Sequence, residues 1–145
     1  MTQRSSVSRD PADYGHWTEI TLRYGDEDRM GHINNAAYVT YFEASRVNLI
    51  DPFVDGERID FVLARLTVDY LMETRFPGTV RVGARVEQLG NRSITTHYAL
   101  FKDAQCLATC ICINVFFDVV NRVSTAPEGW AREAIEAFMA ASPSR

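Results

Sequence analysis

Apolar residues along the chain recur in two rhythms. In HWTEITLRY, residues 16–24, Ile20, Leu22 and Tyr24 share one face, with Glu19, Thr21 and Arg23 on the other. That period of two predicts a half-buried strand. In NNAAYVTYFEASRVNLIDP, residues 34–52, the period lengthens. Tyr38, Tyr41, Phe42, Ser45 and Leu49 recur at three- and four-residue spacing and predict a helix of about four turns, roughly 24 Å at 1.5 Å per residue. Asn34 or Asn35 suits the N-cap, and Pro52 closes the helix from beyond its end. Period two then returns. RLTVDYL aligns Leu66, Val68 and Tyr70, and TVRVGARVE aligns Val80, Val82, Ala84 and Val86. LGNRS is a turn, SITTHYALF alternates again, and KDAQ turns once more. CLATCICINVFFDVV is nearly all apolar, the mark of a strand buried on both faces. TAPEGWAREAIEAFMAAS predicts a C-terminal helix, with Pro127 near its first turn.

The order is strand, helix, then four strands on mostly short connections. Short connections make antiparallel neighbours. One helix with five strands predicts an α+β fold in which a curved antiparallel sheet wraps around the helix, with the second helix at the C-terminus. The 145 residues suffice for one domain with a core and are too few for two ordinary ones. Residues 1–15 are expected to form a flexible polar tail, and residues 16–145 the single domain.

Composition narrows the function classes. Hydrophobic residues make up 46% and charged residues 23%, the balance of a globular protein. A net charge of −4 gives no global field for nucleic acid. No run approaches the roughly 18 apolar residues of a membrane span. The N-terminus MTQRSSVSRDPADYG has no apolar core of a secretory signal. Cys106, Cys110 and Cys112 are odd in number and lie in one apolar run. They read as buried free thiols in a reducing compartment, not as a disulfide framework or a zinc site. The expectation is a cytoplasmic protein with no nucleic-acid partner, membrane partner or metal.

Charge concentrates in YGDEDRMGHINNAAY, residues 24–38, just before the helix. A helix N-terminus presents unpaired N–H groups and a partial positive charge. It can hold a carboxylate, a phosphate or a developing oxyanion. An acid placed before it therefore has two readings. It compensates the dipole and caps the loop, or it works beside an oxyanion site. Asp26 and Glu27 read as solvated loop charges, with Asp26 suited to cap the turn. Gly31 permits a sharp turn toward the helix. Glu43 lies three residues before Arg46, an ion-pair spacing worth a few tenths of a kcal/mol. A calcium loop would need more oxygen ligands and a closing glutamate.

The segment RYGDEDRMGHINNAAYVTYFEASR resembles the signature of the hotdog-fold thioesterases of the 4-hydroxybenzoyl-CoA thioesterase family. The pattern is an aromatic, D-x-D-x-x-G-H-x-N-N, a small residue and Tyr, then Y-F-E-x-x-R on the helix. FVLARLTVDYLMETRFPGTVRVGARVEQLGNRSITTHYALF looks like the next three strands, so the resemblance spans roughly residues 16 to 120. It implies a hotdog fold and hydrolysis of an acyl-CoA to free acid and CoA. No cofactor is implied beyond the CoA carried by the substrate. It further implies a homodimer or homotetramer with the active site at the subunit interface.

The resemblance also implies roles. Asp28 matches the family's catalytic carboxylate, as nucleophile or general base. Tyr24 matches an active-site tyrosine of the short-chain acyl-CoA branch, and packing of a strand-end aromatic explains it equally. Asn35 stands where that branch has a histidine. In the aryl-CoA branch the backbone N–H at this position polarises the thioester carbonyl, and Asn35 retains that N–H. His32 in GHINN resembles the histidine of the plant acyl-carrier-protein thioesterases, although Met30 replaces their middle asparagine. Glu43 matches the position of a helix-borne catalytic carboxylate in another branch. Arg75 and Arg92, with Arg81 and Arg85, are candidates for the CoA phosphates. Two alternatives stay open: an acyl-carrier-protein thioesterase, and a non-catalytic acyl-CoA-binding hotdog protein.

Overall fold

A computed structural model of the protein describes residues 7–144. In chain order its elements are β1 (His16–Thr21), α1 (Asn35–Ile50), β2 (Ile59–Tyr70), β3 (Thr79–Leu89), β4 (Ser93–Lys102), β5 (Gln105–Asp118), β6 (Val123–Ser124) and α2 (Gly129–Ala141). The strands run β1-β3-β4-β5-β2, each neighbouring pair antiparallel, and β6 adds two residues beside β5. The predicted α+β architecture is the observed one, apart from β6, which is too short to show a period. Among the described residues no strand pairs with the outer edge of β2, and no helix is long and apolar enough to cross a membrane.

Helix α1 crosses the inner face of the sheet. Its stripe of Tyr38, Tyr41, Phe42, Ser45 and Leu49 is buried as predicted, together with Arg46 and Ile50. The apolar members join the period-two positions of β3 and Ala108, Cys110, Cys112 and Phe116 of β5 in one core cluster. Each large apolar side chain buried there is worth about 1.5–3 kcal/mol. A helix of this length owes its stability to such packing more than to propensity. Asn34 caps it, its Oδ1 accepting the Ala36 N–H at 2.9 Å. Beyond Ile50 the chain passes through a 3-10 turn at Asp51–Phe53. Helix α2 inserts Ala131 and Ile135 into the same cluster. On β5 only the inner positions are buried throughout; Ile111, Ile113 and Val115 on the other face are half-buried.

Of the tail expected over residues 1–15, residues 1–6 lie outside the described residues. Residues 7–15 lie against the outer face of the sheet. Val7 and Tyr14 are buried, and the Tyr14 ring packs edge-on against Phe101 and Trp17, both at 6.3 Å. Gly83 on β3 makes room, because a Cβ there would come within 2.8 Å of Tyr14. The Arg85 Nη1 donates to the carbonyls of Asp13 (2.7 Å) and Pro143 (3.0 Å), tying both chain ends to β3. Two apolar anchors in an otherwise polar segment are enough to seat it.

Candidate active site

The loop between β1 and α1 is built around a buried carboxylate. Asp26 is 7% exposed at the end of a 3-10 turn, Tyr24–Asp26. Its Oδ2 accepts from the Tyr41 hydroxyl (2.7 Å) and the Arg23 N–H (3.1 Å), and its Oδ1 from Arg23 Nε (3.2 Å) and Nη2 (3.0 Å). Its carbonyl accepts the Asn34 N–H at 2.8 Å. Burial pushes the carboxyl's pKa up, but the hydrogen bonds from Tyr41 and Arg23 outweigh it and hold the group below its ordinary value. The Tyr41 phenol is pushed up, by burial first and by Asp26 second. Asp26 is therefore not the solvated loop charge expected from its acidic neighbours. A hydroxyl from the second turn of α1 reaches it, a contact that loop composition does not reveal.

Asp28, two residues on, is exposed. Its Oδ1 accepts from the N–H groups of Met30 (2.8 Å) and His32 (3.2 Å), and its own N–H donates to the His32 carbonyl at 2.8 Å. Gly31 closes this turn with φ +77°, a left-handed conformation that favours glycine. Asp28 Oδ2 has no hydrogen-bond partner among the described residues. One oxygen is thus pinned and the other is free.

Asp28 borders a cleft of about 400 Å³. Its walls include His32 and Asn35 from the loop and helix start, Tyr38 from α1, and Tyr70, Met72 and Glu73 from the end of β2 and beyond. The Asn34 side chain serves Ala36 and its carbonyl serves Ala37, which leaves the Asn35 N–H without an acceptor among the described residues. Tyr70 donates to the Asn35 carbonyl (2.9 Å) and Tyr38 to the Met72 carbonyl (3.0 Å). These bonds lock the helix start to the strand end.

A hydrogen bond from the Ile33 N–H to the Thr74 carbonyl, 2.8 Å, brings the chain after β2 alongside the loop. Glu73 Oε2 then stands 3.1 Å from His32 Nε2, and Arg75 Nη2 stands 2.9 Å from the same nitrogen. A guanidinium can only donate and a carboxylate can only accept. Arg75 therefore engages Nε2 when it carries a lone pair, and Glu73 engages it when it carries a proton. Glu73 and Met72 sit in LMETRFPG, which has no motif to mark them, and sequence reasoning missed both.

The other candidates do not line the cleft. Tyr24 is 78% exposed and meets Phe76 edge-on at 6.0 Å. Glu43 is exposed on α1, 3.5 Å from Arg46. Arg75 sits at the rim through His32 and the Gly31 carbonyl. Arg92 donates to Ser124 on β6, and Arg81 lies over the Trp17 ring at 4.5 Å. Among the described residues no three His, Cys, Asp or Glu side chains are grouped to hold a metal.

A carboxylate oxygen free of partners, an open N–H at a helix start and a histidine between opposite charges can together hold and attack a carbonyl. A family model described as the thioesterase-like superfamily matches residues 22–140. The chain belongs to the thioesterase-like superfamily. It is 23% identical to the long-chain acyl-CoA thioesterase FadM of Escherichia coli (strain K12) over 126 residues, 82% of this chain and 96% of FadM. It is 24% identical to the uncharacterized protein YsmA of Bacillus subtilis (strain 168) over 88 residues, 59% of this chain and 60% of YsmA. Among solved structures it is similar to a thioesterase from Thermus thermophilus complexed with coenzyme A and Zn. The TM-score is 0.77 and the identity 28%, covering 88% of this chain and 97% of that one. The superfamily carries the hotdog fold and the thioester-hydrolase class that the loop motif implied.

Proposed function

We propose that this thioesterase-superfamily protein hydrolyses acyl-CoA to free acid and CoA, with Asp28 as base or nucleophile. The observation that supports it best is the split environment of Asp28. Two backbone N–H groups fix Oδ1, while Oδ2 stays unengaged at a cleft whose wall carries the open Asn35 N–H. The thioester carbonyl oxygen takes the Asn35 N–H, and charge that develops on it in the tetrahedral intermediate is stabilised there. Asp28 attacks the carbonyl carbon, forming a mixed anhydride that a water then hydrolyses to the free acid and Asp28, or it removes a proton from a water that attacks directly. The C–S bond breaks, and His32 delivers a proton to the departing sulfur, with Glu73 as its partner. Arg75, at the rim beside His32, is a cation placed to meet the CoA phosphates. The chemistry needs no cofactor, and three free thiols suit a reducing cytoplasm.

We read the assembly as a dimer or a dimer of dimers. Strand β2 is 12 residues long and lies at an edge. Val62, Leu63 and Tyr70 are exposed on it, and edges of this kind pair.

The test is thiol release from aryl, short-chain and long-chain acyl-CoA esters by the wild type, Asp28→Asn and Glu43→Gln. Activity that falls at least about a thousandfold in Asp28→Asn alone supports this reading. Loss in Glu43→Gln alone moves the carboxylate to the helix. Tight binding of acyl-CoA without turnover by the wild type sinks the hydrolase reading and favours a binding protein.

A further inference from the structure

The ring of His32 meets two neighbours that its Nε2 cannot satisfy together. Arg75 Nη2 lies 2.9 Å from that nitrogen and Glu73 Oε2 lies 3.1 Å from it. The guanidinium bonds the nitrogen only through its lone pair, and the carboxylate only through its proton. The ring is therefore held in one of two ways. Neutral, with its proton on Nδ1, it accepts from Arg75. As imidazolium it donates to Glu73, and the bond from Arg75 is lost.

The exchange needs only side chains to move, because the main chain beside them is fastened. The Thr74 carbonyl accepts the Ile33 N–H at 2.8 Å. Lys102 of β4 donates its Nζ to the carbonyls of Arg75 (2.9 Å) and Pro77 (3.1 Å). The Arg75 side chain has one further bond, Nη1 to the Gly31 carbonyl at 3.4 Å, and the residue is exposed. The other charged and titratable groups around the ring do not engage Nε2. Asp28 accepts the His32 main-chain N–H, and the Tyr38 hydroxyl of α1 is given to the Met72 carbonyl. Glu27 and Arg29 of the same loop make no bond to the ring among the described residues. The proton on Nε2 is thus decided between Arg75 and Glu73.

Resting on the thioesterase reading, we infer that the phosphates of a bound CoA ester draw Arg75 off His32, and that His32 then takes a proton from solvent and turns to Glu73. The general acid is loaded by its own substrate, with Arg75 as a positioning residue. An anion at Arg75 removes the donor that held the Nε2 lone pair, and its negative charge favours the imidazolium. When the C–S bond breaks, its electron pair goes to sulfur and the Nε2 proton follows. The thiol of CoA forms and the ring is neutral again. Its lone pair then reclaims Arg75, which loosens the hold on the departing CoA. The proton taken up on binding is the one that leaves on the CoA sulfur, so this transfer needs no other acid.

Proton uptake on binding is the signature. S-methyl-CoA, a thioether that is not hydrolysed, is titrated calorimetrically near neutral pH in two buffers of different ionisation enthalpy. His32→Gln sets the baseline for protons exchanged by the phosphates themselves. Above that baseline the wild type is expected to take up between about 0.3 and 1 proton per bound ligand. By linkage, its affinity falls with rising pH more steeply than that of His32→Gln, by at most about tenfold per pH unit. Arg75→Met lacks both the donor and the charge. It is expected to bind more weakly and to lose most of the excess uptake. Wild-type uptake no greater than the baseline overturns the inference, as does an excess that survives intact in Arg75→Met.

The exchange is also read in the free protein. Nitrogen NMR distinguishes a neutral ring from an imidazolium, and His32→Gln assigns the signal among the three histidines. At one fixed pH near neutrality, Arg75→Met is expected to raise the imidazolium fraction of His32 and Glu73→Gln to lower it. An unchanged fraction in either variant overturns the two-way hold on Nε2. If S-methyl-CoA binds but no acyl-CoA releases thiol, the hydrolysis reading fails while proton uptake still judges the inference. Absence of binding overturns the inference.

Discussion

Asp26→Asn keeps the size of the side chain and removes its charge, so it isolates the buried carboxylate at the base of the loop. The four hydrogen bonds to that carboxylate are unequal. Two come from the side chain of Arg23, which is 79% exposed, and solvent screening limits an ion pair of that kind to below about 1 kcal/mol. The bond from the buried Tyr41 hydroxyl to a charged acceptor is worth about 1.5–3 kcal/mol. An asparagine can still accept once or twice, but its amide nitrogen turns a donor toward Arg23 or Tyr41. The expected loss is about 2 kcal/mol for Asp26→Asn, and more for Asp26→Ala, which leaves the Tyr41 hydroxyl buried without an acceptor. A double-mutant cycle with Tyr41→Phe should show a coupling of roughly 1–2 kcal/mol.

Urea unfolding at a single protein concentration measures these values, since assembly shifts apparent stability. The pH dependence adds a sign. The folded-state pKa of Asp26 lies below the ordinary 3.8. Its charged form therefore stabilises the fold fully above that ordinary value, and the contribution is lost as pH falls through the folded-state pKa. The gap between wild type and Asp26→Asn should narrow progressively below about pH 4. A variant within about 0.5 kcal/mol of wild type at pH 7, or a gap that widens on acidification, would refute the assignment of Asp26 as the structural anchor.

Three further outcomes are expected. Glu73→Gln should lower kcat about tenfold with little change in KM, because a neutral amide replaces the charged acceptor beside His32 Nε2; an unchanged kcat in the thiol-release assay would leave Glu73 a surface residue. Gly83→Ala should cost about 1–3 kcal/mol by overpacking and should speed proteolytic cleavage within residues 7–15, since its Cβ meets Tyr14 at 2.8 Å; a cleavage pattern identical to wild type would mean that the segment adjusts in place. Arg46→Met should be neutral or stabilising by about 1 kcal/mol. The Arg46 side chain is 8% exposed, its Nε has no partner and its Nη1 lies 3.8 Å from the Cys112 thiol. A loss above about 2 kcal/mol in urea would show that the guanidinium holds the core together.

The fold was legible because its signals are periodic. The stripe from Tyr38 to Leu49, the alternation of Val80 to Val86 and the turn at LGNRS each announce an element without knowledge of its neighbours. The loop motif likewise placed Asp28, His32 and Asn35 in one region, and they border one cleft. What did not show depends on contacts between distant segments. Asp26 and Asp28 look alike in GDEDR, yet one is buried by a tyrosine 15 residues away and the other is exposed. Glu73 reaches His32 only because Ile33 bonds Thr74 across the fold. Arg92 and Arg75 looked equivalent as cations, and the chain carries one to β6 and the other to the cleft rim. Val7 and Tyr14 are two apolar residues in a polar stretch, too few to form a period.

In the proposed mechanism the two aspartates divide the work of the loop, and this ties stability to catalysis. The 3-10 turn turns Asp26 inward, where its carboxylate engages α1 through Tyr41 and its carbonyl holds the Asn34 N–H. Asn34 is the helix cap, so the position of Asp26 sets where the next N–H, that of Asn35, is aimed. Asp28 is spared any structural duty for its Oδ2 because the turn is already secured two residues earlier. A change at Asp26 should therefore not act on stability alone. In the proposed reaction, misdirecting the Asn35 N–H weakens an interaction that strengthens as charge develops on the carbonyl oxygen. In folded Asp26→Asn at low temperature, kcat is expected to fall by about tenfold while KM changes little. Equal kcat in that folded variant would separate the anchor from the oxyanion site and leave the loop with a purely structural aspartate.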